Sequence, residues 1–265
     1  MSVTHLPRLE ELDVDGAIQE AAAKVDASTR ASFLRKAGVG GAALVGGGIL
    51  LGRPGAAFAG HLDGIPDVDI LNYALTLEYL EATFYTQALG GPGTTGVLSS
   101  GATFDRGAIT GSNSFGGFGG RIRSTAYGYL TDIRDHEIIH VDFLRDALGA
   151  AAVGPCTFDF SSALASVETF IGTAQVLENT GVMAYDGAIR YVEDGATLQR
   201  GAEIATVEAR HAAYLNLINR DSPWFPSAFD AFDDGKTPNQ ILAAANPFIV
   251  SCPAEVRALF ARLPL

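Results

Sequence analysis

The sequence has few cysteines, few basic residues and no long unbroken apolar run, and each shortage removes a class of protein. Two cysteines in 265 residues are too few for a disulfide-built scaffold, and a chain of this length can bury a core without one. Lys and Arg number 18 against 30 Asp and Glu, a net charge of −12. Clustered cations for phosphate contacts are therefore missing, which argues against nucleic acid as a partner and against adsorption on anionic lipid. The longest apolar run, about 15 residues and rich in glycine, is too short for the ~20 consecutive apolar residues that a membrane-spanning helix wants. The chain also lacks a C-x-x-C pair, a phosphate-binding G-x-x-x-x-G-K-[ST] loop, a dinucleotide G-x-G-x-x-G between strand and helix, and a G-x-S-x-G elbow. Glycine is plentiful at 31 residues but has no three-residue period, so collagen is excluded. What is present is 48% hydrophobic residues with mixed charge, the composition of a soluble globular chain and not of a disordered one.

The first sixty residues read as a segment apart. Residues 1–29 are polar and show no apolar stripe. They lead into Thr29-Arg30-Ala31-Ser32-Phe33-Leu34-Arg35-Lys36, an uncharged run over 37–52, and Ala57-Phe58-Ala59. A basic segment, an apolar segment of about 15 residues and a small-x-small end are the layout of an export signal, removed near Ala59; the competing reading is an N-terminal anchor. The segment is similar to a twin-arginine signal, although Ala31 stands where the second Arg belongs. Residues 1–59 carry six basic and six acidic residues, so the whole −12 falls on 60–265. Outside the cytoplasm Cys156 and Cys252 can oxidise; one long-range disulfide is the leading reading, two buried thiols the other.

Four stretches carry helical periodicity. Over 67–89, Leu71, Ala74, Leu75, Glu78, Ala82 and Tyr85 fall on one face of a 3.6-residue period, and Gly90-Gly91-Pro92 stops the helix. Residues 90–120 hold eleven glycines and no periodicity, the mark of a long loop, with Phe115 and Phe118 either a lid or anchors. A second helix is expected over about 121–148, with Leu130, Ile133, Glu137, His140, Leu144 and Leu148 in register. A connection over 149–160 leads to a third helix at about 161–193, with Ile171, Ala174, Glu178, Gly181, Tyr185 and Ile189 in phase. The fourth, about 196–220, aligns Ile204, Glu208, His211, Leu215 and Ile218. The proline-bearing tail, 221–265, is expected to wrap the bundle as short helices and turns. No strand pattern stands out, and the fold class is all-α.

The anomaly is chemical. At the centre of each apolar stripe sits a group that a core rejects: Glu78, Glu137 with His140, Glu178, and Glu208 with His211. Buried carboxylates without a compensating charge cost several kcal/mol each, and four facing one another also repel. Metal cations remove both difficulties. Glu137-Ile138-Ile139-His140 and Glu208-Ala209-Arg210-His211 are both Glu-x-x-His, which puts carboxylate and imidazole on one helix face. With 12 Glu and 5 His in 265 positions, chance supplies about 0.2 such pairs (12 × 5 / 265). The halves also repeat: Tyr85 follows Glu78 by seven residues as Tyr185 follows Glu178. Likewise Glu137-x-x-His140-x-x-Phe143-Leu144 parallels Glu208-x-x-His211-x-x-Tyr214-Leu215. One Glu from each of two helices and Glu-x-x-His from the other two is the ligand set of the di-iron and di-manganese carboxylate bundles. A twelve-residue connection spans ~40 Å when extended, enough for the crossover such bundles need.

The stretch Leu71-Asn72-Tyr73-Ala74-Leu75-Thr76-Leu77-Glu78-Tyr79-Leu80-Glu81-Ala82-Thr83-Phe84-Tyr85 resembles the first helix of exported ferritin-like proteins related to the desiccation-related proteins. Residues 136–149 and 237–253, with Asn246-Pro247-Phe248-Ile249 ahead of Cys252, resemble the same family. The resemblance covers about 67–253 and implies a ferritin-like four-helix bundle with a long crossover between its second and third helices. It also implies that Glu78, Glu137, His140, Glu178, Glu208 and His211 bind two metal ions, iron or manganese, that react with O2 or H2O2.

Several residues beside these six carry two readings. Glu81 is an alternative ligand or a partner of groups around the ligands. His136 fits the surface or a hydrogen bond to a ligand better than ligation. Tyr85 and Tyr185 are donors to the carboxylates or ordinary core aromatics. The organisation expected is an export signal over 1–59 and a ferritin-like domain over 60–265, with the bundle at about 67–220. Glu and His ligands suit two Fe or Mn ions, with O2, H2O2 or Fe(II) as small-molecule substrates and ferroxidase or peroxide scavenging as the chemistry. The alternative is a non-enzymatic exported stress, desiccation-related or metal-binding envelope protein. No stable membrane span is expected after processing, and a homo-oligomer is compatible with the reading.

Overall fold

Helix α1, Asp67–Leu89, occupies the span its periodicity predicts. It is buried around nearly its whole circumference, from Ile70 to Leu89, because it has neighbours on several sides. The computed structural model describes residues 64–219 and 233–263, all within one unit spanning His61–Leu265. The expected export segment, 1–59, and the beginning of the tail, 221–232, lie outside the described residues. In chain order the further α-helices are α2 (Arg106–Gly111), α3 (Gly120–Leu148), α4 (Val167–Ala188), α5 (Gly195–Ile218), α6 (Pro238–Ala245) and α7 (Ala254–Phe260). Among the described residues no helix is long and apolar enough to cross a membrane.

The bundle consists of α1, α3, α4 and α5. Its most extensive contacts join α1 to α3 and α4 to α5. Four hydrogen bonds and one ring contact set the directions. Asp67, at the start of α1, accepts from the backbone N–H groups of Glu193 and Asp194 at 2.8 and 2.9 Å, just before α5 begins. Asn72 brackets the chain beyond the end of α3, donating to the Ala151 carbonyl (3.0 Å) and accepting from the Val153 N–H (2.9 Å). The start of α1, the end of α3 and the start of α5 therefore share one end of the bundle. At the other end, Phe160 in the crossover packs on Phe84 at 5.2 Å between ring centroids. The connection from α3 to α4 thus runs the length of the bundle, as the fold class requires.

The crossover is longer than the sequence suggests. Helix α4 begins at Val167 and not at 161, because Ser166 and Thr169 form a capping box that satisfies the first free N–H groups there. Residues 161–166 are turns, opened by the Ser161 N–H donating to Asp159 Oδ1 at 2.8 Å. At its far end α4 passes at Ala188 into a 3-10 turn, Ile189–Tyr191. Asp194 caps α5 through the Thr197 N–H.

Two short antiparallel ribbons appear where no strand was expected. The first, β1 (Gly90–Gly91) with β2 (Ser100–Ala102), folds the glycine-rich segment back against α1. Gly90 has φ 75°, and a Cβ there would stand 2.9 Å from the Ala102 backbone nitrogen, so only glycine permits this approach. The segment is an ordered excursion: Ile109 and Phe115 are fully buried in the main core, so Phe115 is an anchor and not a lid. The second ribbon pairs β3 (Thr157–Phe158) with β4 (Ile249–Ser251) and joins crossover to tail. Beside it Cys156 is disulfide-bonded to Cys252, across 96 positions of sequence. The tail does cover the bundle over 233–263: α6 lies on α4 and α7 on α1.

Candidate metal centre

The 3.6-residue period carries each group to the bundle axis. Glu78 comes from α1, Glu137 and His140 from α3, Glu178 from α4, and Glu208 and His211 from α5. All six are at most 7% exposed. Glu81, one turn beyond Glu78, is buried with them. His140 Nδ1 lies 3.3 Å from Glu78 Oε2, 3.2 Å from Glu137 Oε2 and 3.2 Å from Glu208 Oε1. His211 Nδ1 lies 3.0 Å from Glu137 Oε1 and 3.1 Å from Glu178 Oε2.

These contacts resolve into two overlapping sets. In one, ligand atoms of Glu78, Glu137, His140 and Glu208 all fall within 4.8 Å of one another; in the other, those of Glu137, Glu178, Glu208 and His211 do so. Glu137 and Glu208 belong to both, while each set has its own Glu and its own His. Four oxygens of the cluster, Glu78 Oε2, Glu137 Oε1 and both of Glu208, are buried without a well-aligned hydrogen-bond donor. Buried carboxylate oxygens that converge in two overlapping sets, with only poorly aligned imidazole donors to satisfy them, are compatible with bound metal ions.

The two tyrosines bond reciprocally across the halves. Tyr85 of α1 donates to Glu178 Oε1 of α4 at 2.6 Å, and Tyr185 of α4 donates to Glu78 Oε1 of α1 at 2.5 Å. Each terminal carboxylate therefore keeps one oxygen on a phenol and turns the other toward the axis. Burial, then the charges of Glu178 on Tyr85 and of Glu78 on Tyr185, push both phenols well above their ordinary range, so they remain donors.

The repeat breaks at two positions. Gly181 stands three residues after Glu178 where Glu81 stands three after Glu78. A Cβ at Gly181 would lie 3.2 Å from Glu208 Oε2 and 3.3 Å from Glu81 Oε1. The missing side chain is the space that the fifth carboxylate uses. The second break is His136, which precedes Glu137 where Val207 precedes Glu208. Its Nδ1 is 2.9 Å from His211 Nε2, and the two rings stack at 5.2 Å. With Nε2 of His211 engaged outward, Nδ1 is the nitrogen aimed at the carboxylates. His136 itself is exposed, so it bonds to a cluster group from the surface.

Without metal the cluster retains protons. Burial lowers His211, but the Glu178 charge and hydrogen bonds to Glu137 and Glu178 outweigh it and push the imidazole up to about 11. His140 is driven up further against the same burial, by Glu78, Glu137 and Glu208. Burial and the neighbouring carboxylates raise Glu208 and Glu81 well above the usual range, and raise Glu137 as well. Burial also works against ionised Glu78, yet the charge and hydrogen bonds of His140, with those of Glu137 and Tyr185, hold it low. His136 is lowered by burial and by the two other histidines.

One group near the site escaped the sequence reading. Asn179, next to Glu178, donates to Asn216 Oδ1 at 2.8 Å, and Gln175 donates to the same oxygen at 3.1 Å. This buried amide cluster fixes the register of α4 against α5 within two turns of the ligands. The i, i+4 spacing of Gln175 and Asn179 on an otherwise apolar face was the available signal.

A family model for the ferritin-like domain matches residues 66–220, and the chain belongs to that family. A comparison with curated proteins gives no match.

Proposed function

We propose that the protein is a dinuclear iron or manganese carboxylate protein that reacts with O2 or H2O2, of the ferroxidase or peroxide-scavenging kind, acting in stress protection. The observation that carries this reading is the sharing of Glu137 and Glu208 by two four-ligand sets. Glu137 and Glu208, common to both sets, would be shared by the two ions, Glu78 and His140 would complete one position, and Glu178 and His211 the other. Two divalent ions bring +4 against the −4 of Glu78, Glu137, Glu178 and Glu208, which burial otherwise makes untenable. Oxygen and imidazole donors without thiolate suit Fe and Mn. Bound as a pair, such ions supply the redox equivalents for reduction of O2 or H2O2.

The chain's own residues do the remaining work. Tyr85 and Tyr185 fix the terminal carboxylates, His136 orients His211, and the apolar packing around α1 excludes bulk water. Glu81 lies beside the ligands in the space that Gly181 leaves, and burial with the neighbouring carboxylates raises its carboxyl well above the usual range in the metal-free cluster. A protein of this kind carrying a disulfide between crossover and tail belongs in an oxidising compartment, which supports export.

A second reading, a non-enzymatic metal-binding envelope or stress protein, draws on the near-complete burial of the cluster. Metal analysis of natively purified protein, with Fe(II) oxidation and peroxide consumption, separates the two. About two ions per chain with turnover supports the first; two ions without turnover supports the second. His140→Ala and His211→Ala should each lose most of the metal and keep their helix content. Full activity in both variants would overturn the assignment.

A further inference from the structure

We propose that the protein also binds a small uncharged apolar molecule, an aromatic ring or a short alkyl chain, in a cavity beside the carboxylate cluster. The cavity has a volume of about 210 Å³ and lies between α3 and α5, floored by α1 and α4. Of its fifteen lining residues, twelve are apolar or glycine, and only Tyr185, Thr197 and Arg200 carry a polar side-chain group. Protein interiors are packed to the density of organic crystals, so an apolar space of this size forfeits contacts that a fitting occupant restores. The space opens to solvent along Phe143, Ala147, Ala196 and Arg200, and its volume exceeds the ~150 Å³ at which an enclosed apolar cavity takes up benzene.

The walls also define the charge of the occupant. Tyr185 donates to Glu78 at 2.5 Å, Thr197 Oγ1 donates to Asp194 Oδ1 at 2.9 Å, and Arg200 Nη1 donates to Glu203 Oε2 at 2.5 Å. Every polar side chain on the wall is thus committed to a carboxylate of the chain itself. A charged ligand would surrender its hydration against an almost wholly apolar wall whose one cation, the exposed Arg200, is already paired with Glu203, whereas an uncharged apolar one has little hydration to lose. Phe143 and Arg200 are exposed and stand at the surface side. Tyr185, whose hydroxyl holds Glu78, forms part of the inner wall. An occupant would therefore rest against the side chain that orients a cluster carboxylate, which makes the cavity a place for an organic substrate or effector of that site. Binding here requires no metal, so its failure would leave the metal reading standing.

Gly201 supplies a test that spares the fold. It lines the cavity from within α5, a Cβ there would meet nothing within 4 Å, and leucine has better helix propensity than glycine. Gly201→Leu fills the space from one wall, and Ala147→Phe fills it from α3. Full-length protein, with and without added metal, is titrated with toluene, 1-hexanol and hexanoate by calorimetry and thermal melting. Toluene and 1-hexanol should bind, raising the melting temperature by about 2 °C or more at saturation. Each filled variant should lose at least tenfold in affinity while retaining wild-type metal content. The proposal is overturned by failure of both neutral probes to bind, by filled variants that bind as well as wild type, or by hexanoate binding more tightly than 1-hexanol.

Discussion

The Tyr185 hydroxyl donates to Oε1 of Glu78 at 2.5 Å across 107 positions of sequence, tying the fourth helix of the chain to the first at the edge of the carboxylate cluster. The bond fixes which oxygen of Glu78 remains for a cation. Its removal in Tyr185→Phe should lower metal affinity about 10- to 100-fold, the usual cost of losing a partner that orients a ligand. The metal-free protein should also lose about 1–3 kcal/mol of stability, because a buried oxygen of Glu78 is left without its donor. Tyr85→Phe should do the same through Glu178. Calorimetric titration with Mn(II) reads both, and unchanged affinity in the pair would reduce the tyrosines to core aromatics.

Gly181→Ala should separate helix stability from metal binding. Alanine is better than glycine within a helix by ~1 kcal/mol, but here the new Cβ meets Glu208 Oε2 at 3.2 Å and Glu81 Oε1 at 3.3 Å. One of the two carboxylates must shift. The expected outcome is metal affinity lower by about tenfold with a melting temperature of the metal-free form no lower than wild type. A large loss of stability without any change in metal binding would show that Gly181 serves packing alone.

The pH dependence of the metal-free protein follows from the protons its cluster keeps. Glu208 and Glu81 are raised in the folded state, and His211 is raised from 6.5 to about 11. The folded chain therefore binds more protons than the unfolded one as pH rises through 4.5 and then 6.5, and stability must fall with pH across that interval. The contribution of His211 is complete below 6.5 and disappears as pH passes about 11. Glu78, held low, is ionised in both states above pH 5 and does not alter the slope there. Chelated protein should accordingly melt at progressively lower temperature from pH 5 to 9. Metal uptake should release protons, seen as a buffer-dependent calorimetric heat, and tighten with rising pH. A flat melting profile for chelated protein would contradict this account.

Glu137→Gln/Glu208→Gln removes both shared carboxylates while retaining their shape. In metal-bound protein the change should abolish binding of the pair and the stability that comes with it. In chelated protein it should leave the melting temperature equal or higher, because two mutually repelling groups are gone. Melting of both proteins with and without chelator is the measurement. A wild type indifferent to chelator and melting no higher than the double variant would mean that no metal pair is bound.

The Cys156–Cys252 bond closes a loop of 96 positions between crossover and tail. The chain-entropy model gives up to about 4–5 kcal/mol for a loop of this length, and reduction should lower the melting temperature by roughly 5–15 °C. Cys156→Ser/Cys252→Ser should behave like reduced protein, with the β3–β4 ribbon and α7 losing hydrogen-exchange protection before the bundle helices do. Uniform protection in both forms would show that the tail is held by packing alone.

The sequence by itself determined the helical spans and the six inward-facing groups, since the 3.6-residue period is a local property and Glu-x-x-His needs only one turn of one helix to align its donors. Its limits appear where local rules ran out. The start of α4 at Val167 depended on which of several polar residues caps it. The glycine-rich segment 90–120 looked structureless because its order comes from pairing β1 with β2 and from burying Ile109 and Phe115 against distant helices. Only the tertiary structure decided the contacts that cross between helices: Tyr85 with Glu178, Tyr185 with Glu78, His136 stacked on His211, Glu81 in the space left by Gly181, and the apolar cavity between α3 and α5. Each depends on the rotation and axial offset of one helix against another. Those are set by the packing of many side chains at once, and no spacing along a single strand of sequence encodes them.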